Sequence, residues 1–136
     1  MSDDTPRDAV AICLPGTGGR WLAMRRALSD RGGGQVGFPA GKLEAGETQQ
    51  DAAHREGFEE LGVEATPLFC FAVVELPELN VRLHAWLVST NTTCFAPNPG
   101  EVAEPLWLTA GDLAAHPDAL TAVAQLAAQL PTVAPS

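Results

Sequence analysis

Residues 48–62 constrain the fold more than any other stretch of the chain. Thr48 is followed three residues on by Asp51, an N-cap with its acid, and Gly62 supplies a left-handed stop, so a helix is predicted to run to Leu61. Ala53, Gly57 and Leu61 form an apolar stripe on it that has to be buried against a neighbour. Gly57 costs the helix about 1 kcal/mol relative to Ala, which points to close packing there. Glu56, Glu59 and Glu60 occupy an arc of roughly 100° on a different face. Acids in the last turns oppose the negative end of the helix dipole, and like charges at i,i+4 cost roughly 0.2–0.5 kcal/mol per pair. A hard divalent cation, Mg²⁺ or Mn²⁺, reverses that sign by taking the carboxylate oxygens as ligands. The acidic face is therefore either a solvated surface or a metal site. His54 lies about 160° from Glu56 around the helix and is left out of any such site.

The flanking segments supply a sheet for the stripe to pack on. AVAICLP (9–15) reads as a buried strand, and WLAMRR (21–26), after a GTGG turn, as its hairpin partner. After a glycine-rich loop and the helix, LFCFAVVEL and VRLHAWLVS read as two strands joined by a short turn at 77–80. Residues 91–104 read as a turn-rich loop, PLWLT as a short edge strand, and 111–115 and 118–130 as helical, with Asp118 capping the last helix. The class is α/β with a mixed sheet, as a single domain over 1–136 with ends that fray at about 1–7 and 131–136.

A chain of 136 residues has the size of one domain able to bury a core without disulfides. Its net charge of −9, from 8 basic and 17 acidic residues, argues against a nucleic-acid partner gripped through a basic surface. Cys13, Cys70 and Cys94 lie too far apart for a zinc spacing, and read as reduced and mostly core. The polar N-terminus and the lack of a membrane-length apolar run lead to the expectation of a cytoplasmic protein with no membrane association. Asn91-Thr92-Thr93 reads as a polar turn.

Gly41, Glu47, Arg55, Glu56, Glu59, Glu60 and Gly62 together read G-x5-E-x7-R-E-x-x-E-E-x-G, with apolar Val63 next. Over residues 41–63 this resembles the signature of the Nudix hydrolases, and FPAGKLEAGET, HAWLV and GEVAEPLWL resemble its MutT-like branch, which acts on nucleoside triphosphates. Gly57 departs from the family's aliphatic residue, and Ala40 from a second glycine. The resemblance implies an α/β/α sandwich whose mixed sheet lies between the box helix and a C-terminal helix.

It also implies roles. Glu56, Glu59 and Glu60, with the Ala40 carbonyl, are similar to the family's metal ligands, and Glu104 to an additional one. Glu56 is the favoured general base, with Glu104 and then Glu101 in reserve. Arg55, grouped with the catalytic acids, resembles the family's structural partner of Glu47. Gly41 and Gly62 are the supporting glycines of the box. Arg26 resembles a phosphate-gripping arginine, or is an exposed strand-end cation, and Lys42 is similar. Asn80, Arg82, His84 and Trp86 share one strand face, either a base pocket or a half-exposed sheet face. His116 and Asp118 stand where MutT-like enzymes place a base-recognising side chain.

The expected activity is Mg²⁺- or Mn²⁺-dependent hydrolysis of a nucleoside triphosphate, ordinary or oxidised, to the monophosphate and pyrophosphate. One alternative is cleavage of a dinucleotide-like diphosphate such as CoA or ADP-ribose. Another is a nucleotide-binding module that regulates without cleaving. Oligomeric state is left open.

Overall fold

The run Val10, Ala11, Ile12, Cys13 is apolar on both of its alternating faces, so the strand it forms has to sit inside a sheet with cover above and below. All four residues are fully buried in the computed structural model, which describes residues 5–26, 34–90 and 102–131, with the backbone alone for residues 26 and 102–104. Strand β1 (Arg7–Cys13) is flanked on both sides. It runs antiparallel to β4 (Ala40–Lys42) and parallel to β6 (Val81–Ser89), and β6 runs antiparallel to β5 (Thr66–Leu76), giving a mixed sheet of order β4-β1-β6-β5. A second, antiparallel sheet holds β2 (Arg20–Arg26) between β3 (Val36–Gly37) and β7 (Val102–Thr109).

Helix α1 (Gln49–Leu61) keeps the boundaries its caps dictate. The Thr48 hydroxyl accepts from the Asp51 N–H at 3.1 Å, the Asp51 carboxylate accepts from the Thr48 N–H, and Gly62 closes the helix at φ 68°. Such a cap contributes about 1 kcal/mol. The helix lays Ala52, Ala53 and Leu61 on Val10, Ile12, Trp86 and Val88 of the mixed sheet. On the sheet's other face Ala9, Ala11, Leu83 and Ala85 pack with Leu113 of α2 (Ala110–Ala115) and with Val123 and Leu126 of α3 (Thr121–Ala127). The result is the expected α/β/α sandwich around a mixed sheet.

Four expectations are corrected. The hairpin between β1 and β2 survives only at its turn, where the Leu22 N–H donates to Leu14 O at 3.0 Å and the Gly16 N–H to Arg20 O at 2.8 Å. Beyond it the strands part into different sheets, because β4 and β6 already occupy both edges of β1. PLWLT belongs to a longer strand, β7, which is an edge as expected. Asp118 does not cap the last helix, whose N-cap is Leu120 with no side-chain bond. Its carbonyl instead takes the Val36 N–H at 2.8 Å beside a parallel bridge between Val36 and Ala119, and the Ala119 N–H closes a turn on His116 O at 3.2 Å, so Asp118 sits in a turn ahead of the helix. Among the cysteines, Cys13 is buried, its thiol pushed far up by desolvation with a smaller push from Cys70, but Cys70 is exposed. Cys94, the Asn91-Thr92-Thr93 turn and the rest of 91–101 lie outside the described residues. No described helix is long and apolar enough to cross a membrane.

Gly57 is explained by its neighbour, since a Cβ built there would stand 2.8 Å from the Ala65 Cβ. Gly57→Ala is therefore expected to lower the melting temperature by a few degrees, because overpacking costs about 1–3 kcal/mol and exceeds the helix-propensity gain of about 1 kcal/mol. In an Ala65→Gly background the same change is expected to raise it. Thermal unfolding of the four proteins checks this, and a Gly57→Ala protein more stable than the parent contradicts the packing account.

Candidate active site

Arg55 leaves α1 toward the loop between β4 and the helix and meets Glu47 in a two-pronged pair, Nε to Oε2 at 2.8 Å and Nη2 to Oε1 at 2.9 Å. Its Nη2 also donates to Lys42 O at 3.0 Å, and its Nη1 to Glu56 Oε1 at 2.8 Å and Glu59 Oε2 at 3.2 Å. Glu44 completes the loop, its N–H donating to Glu47 Oε1 at 2.9 Å and its carboxylate 3.7 Å from Arg55. One guanidinium thus fastens the loop, the end of β4 and two of the helix carboxylates together. The Arg55 hydrogen bonds, with the Glu44 N–H and the guanidinium charge in support, hold the Glu47 carboxyl down at about 2. Arg55 is raised in turn, first through its bond to Glu47.

Glu56 and Glu60 are buried, at 8% and 9% exposure, whereas Glu59 is exposed. Burial pushes the Glu56 carboxyl up and the Glu59 charge adds to it, against the opposing Arg55 bond and charge and a hydrogen bond with Glu60. Gly41 makes room for it, because a Cβ there would collide with the Glu56 carboxylate. The Ile12 N–H bonds Pro39 O at 2.7 Å and the Leu43 N–H bonds Asp8 O at 3.0 Å, which fixes the phase of the β1–β4 ladder. Gly41 is then the residue bonded to Val10, and Ala40 and Lys42 turn their carbonyls away from the sheet. Lys42 O meets Arg55 there.

Among the described residues no three His, Cys, Asp or Glu side chains converge as a ready-made ion cage. Glu56 and Glu59 instead share Arg55 Nη1. The donor set nevertheless suits a divalent cation in its chemistry: hard carboxylate oxygens, two of them on buried residues where uncompensated negative charge is costly, beside an outward-turned backbone carbonyl.

A cavity of about 370 Å³ lies on the opposite face of the mixed sheet, bounded by Ala9, Ala11 and Leu83 beneath and Val123 and Leu126 of α3 above. Ala40, Gly41 and Lys42 line its near end, so the short edge strand β4 has Glu56 on one face and the cavity on the other. Of the other expected residues, Arg82, His84 and Trp86 point away from this cavity. Trp86 is buried with α1 and donates to Gln49 Oε1 at 2.8 Å, His84 meets Asp8 at 2.9 Å, and Arg82 pairs with Glu75 at 2.7 Å. Period-2 alternation puts these residues on one face of β6, the face on which Trp86 packs against α1, while Val81 and Leu83 on the other face line the cavity. Asn80 closes the β5–β6 turn at φ 53°. The Asp118 carboxylate takes Arg25 Nη1 at 3.0 Å, and the same nitrogen donates to Gly34 O at 2.7 Å. His116 Nδ1 accepts from the Asp118 N–H at 3.1 Å. The Arg26 and Glu104 side chains, and all of Glu101, lie outside the described residues; on the backbone Glu104 stands opposite Arg25. Sequence reasoning missed Gln49, Arg25 and the cavity itself, for which the alanines at 9 and 11, alternating with larger Val10 and Ile12, were the available signal.

The sandwich and its braced glutamate helix define a Nudix hydrolase, an enzyme acting on phosphoric anhydride bonds. The NUDIX domain model matches residues 5–129, and the chain belongs to that family. Among solved structures it is similar to the MutT protein of Methanosarcina mazei Go1, with 20% identity, 93% of each chain covered and a TM-score of 0.76. It is also similar to a Streptococcus suis ADP-ribose pyrophosphatase, with 19% identity, 93% of this chain and 87% of that one covered, and a TM-score of 0.70. A NUDIX hydrolase from Nitrosomonas europaea has 24% identity and a TM-score of 0.68 over 79% of this chain, which spans 60% of that protein's length. No curated protein matches the chain in sequence.

The Glu47–Arg55 pair makes stability depend on pH. Because Glu47 is held at about 2, below its ordinary 4.5, its contribution is complete above about 4.5 and is lost as the pH falls toward about 2. The melting temperature of Glu47→Gln is expected to lie below the parent's at neutral pH, with the gap closing through that window. A gap that is constant from pH 7 to pH 2 contradicts the assignment.

Proposed function

We propose that the chain is a Mg²⁺- or Mn²⁺-dependent pyrophosphohydrolase that cleaves a nucleoside triphosphate to the monophosphate and pyrophosphate. The observation that carries this reading is the placement of the acidic helix face and the cavity on opposite sides of β4. An elongated molecule laid over the outer edge of that strand has one end among carboxylates and the other in an apolar pocket.

In this reading Glu56, Glu59, Glu60 and the Ala40 carbonyl hold the cation, with Glu104 as a further ligand. When bound, the cation neutralises charge on the bridging phosphate oxygens. Glu56 takes the proton of the attacking water, and Glu104 or Glu101 are the alternatives. Arg55 and Glu47 act as positioning residues, keeping β4 and the helix in fixed relation. Lys42, at the junction of β4 and the cavity, and Arg26 draw in the phosphates. The substrate's remaining group occupies the cavity, which leaves Arg82, His84 and Trp86 in supporting positions on the far face.

Hydrolysis is expected only with Mg²⁺ or Mn²⁺, and chelation is expected to abolish it. Triphosphates are expected to exceed CoA and ADP-ribose in kcat/KM; a tenfold reversal, about 1.4 kcal/mol in transition-state binding, moves the chain to the dinucleotide branch. Tight binding of one compound without any turnover points to a regulatory module. Glu60→Gln keeps the size and shape of the side chain but removes one carboxyl group from the cluster, so the metal-free protein is expected to melt no lower than the parent. Its metal-induced gain in melting temperature is expected to shrink and its turnover to fall by orders of magnitude. Near-parental turnover with an unchanged metal shift places Glu60 outside the site.

A further inference from the structure

Among the described residues that line the cavity, the charged ones are Lys42 and Glu78. Lys42 lies on β4, one edge of the mixed sheet, and Glu78 lies in the turn after β5, the other edge. Strand β1 lies between β4 and β6, so Lys42 and the turn that carries Glu78 are separated across the sheet. Between them the floor is small or aliphatic, and Thr121 adds the remaining polar side chain among the described lining residues. The turn that carries Glu78 is held in place. The Asn80 N–H closes it on Pro77 O at 3.2 Å, the Arg7 N–H donates to Asn80 O at 2.9 Å, and Asn80 Nδ2 reaches Thr5 O at 3.5 Å. Leu76 and Leu79 flank Glu78 in the cavity wall.

This polarity orients an occupant. A phosphate end is attracted by Lys42 and repelled by Glu78, so the uncharged end has to face Glu78. An ionised carboxylate only accepts hydrogen bonds. Glu78 is exposed at the mouth of the cavity; an amino group there gains a charge-assisted bond, whereas a keto oxygen sets acceptor against acceptor. We propose that Glu78 is the specificity-determining acceptor of the cavity, selecting substrates whose non-reacting end carries N–H donors, an amino-bearing base above its keto counterpart. This inference rests on the reading that the cavity holds the non-phosphate part of the substrate.

The test compares matched pairs that differ by amino against keto at one position: cytidine with uridine triphosphate, and adenosine with inosine triphosphate. Their kcat/KM values are measured with Mg²⁺ in the parent and in Glu78→Ala, with inorganic triphosphate as the base-free control. Binding of the four monophosphates without metal is measured by calorimetry. The amino member of at least one pair is expected to be favoured about tenfold or more, the gain of one charge-assisted bond. Glu78→Ala is expected to reduce that preference to within about threefold while turnover of inorganic triphosphate stays unchanged. No amino preference in the parent, or a preference that survives Glu78→Ala, overturns the proposal. The monophosphates separate the two readings. An amino preference in binding without any turnover defeats the hydrolase assignment and keeps the role of Glu78; turnover without that preference does the reverse. Neither turnover nor binding defeats both.

Discussion

The candidate site depends on one guanidinium. Arg55 is donor to a loop carboxylate, a strand carbonyl and two helix carboxylates at once, and no lysine could do the same, because only a planar fork presents that many donors in fixed directions. The strength of the arrangement lies in its connectivity more than in any single ion pair. Exposed pairs contribute little, roughly 0–1 kcal/mol. Here the Glu47 partner is 12% exposed and the fork is two-pronged, so the loop from β4 to α1 is fixed at both ends. That bracing lets Glu56 lie against the bare backbone of Gly41 and leaves the Ala40 carbonyl turned outward.

A second constraint is the central position of β1. With neighbours on both edges and helices over both faces, it divides the molecule into a side carrying acids and a side carrying the cavity. The two meet at β4, three residues long and at the edge of the sheet. A longer strand there would separate the acids from the cavity, while its absence would leave the Ala40 carbonyl without a ladder to aim it. Packing sets the residue at Gly57 as well, since a Cβ there would stand 2.8 Å from the Ala65 Cβ.

Local chemistry was legible where neighbouring residues settle it. The capping box and Gly62 set both ends of α1, since the groups that satisfy a helix terminus lie within four residues of it. Spacing put the three glutamates on one face, and the pairing of Arg55 with Glu47 followed from resemblance to a family pattern. Reasoning of the same kind failed at Asp118, whose sequence context suits an N-cap but whose backbone is claimed by Val36, far away in the chain. It failed at the β1–β2 hairpin because adjacency in sequence says nothing about which edges of β1 other strands have already filled.

The sequence by itself determined the box helix with its caps, the longer strands and the clustering of acids, because these follow from dihedral preferences and side-chain periodicity within about a dozen residues, whereas the short strands β3 and β4 lay in what read as a glycine-rich loop. Only the tertiary structure decided which face of β6 meets a helix and which meets a cavity. The alternation that groups Arg82, His84 and Trp86 is equally consistent with either side, and the choice was made when α1 settled on that face and buried Trp86 against Gln49. Burial of Glu56 and Glu60 was decided in the same way, since a helix wheel gives directions around an axis but not what lies in those directions.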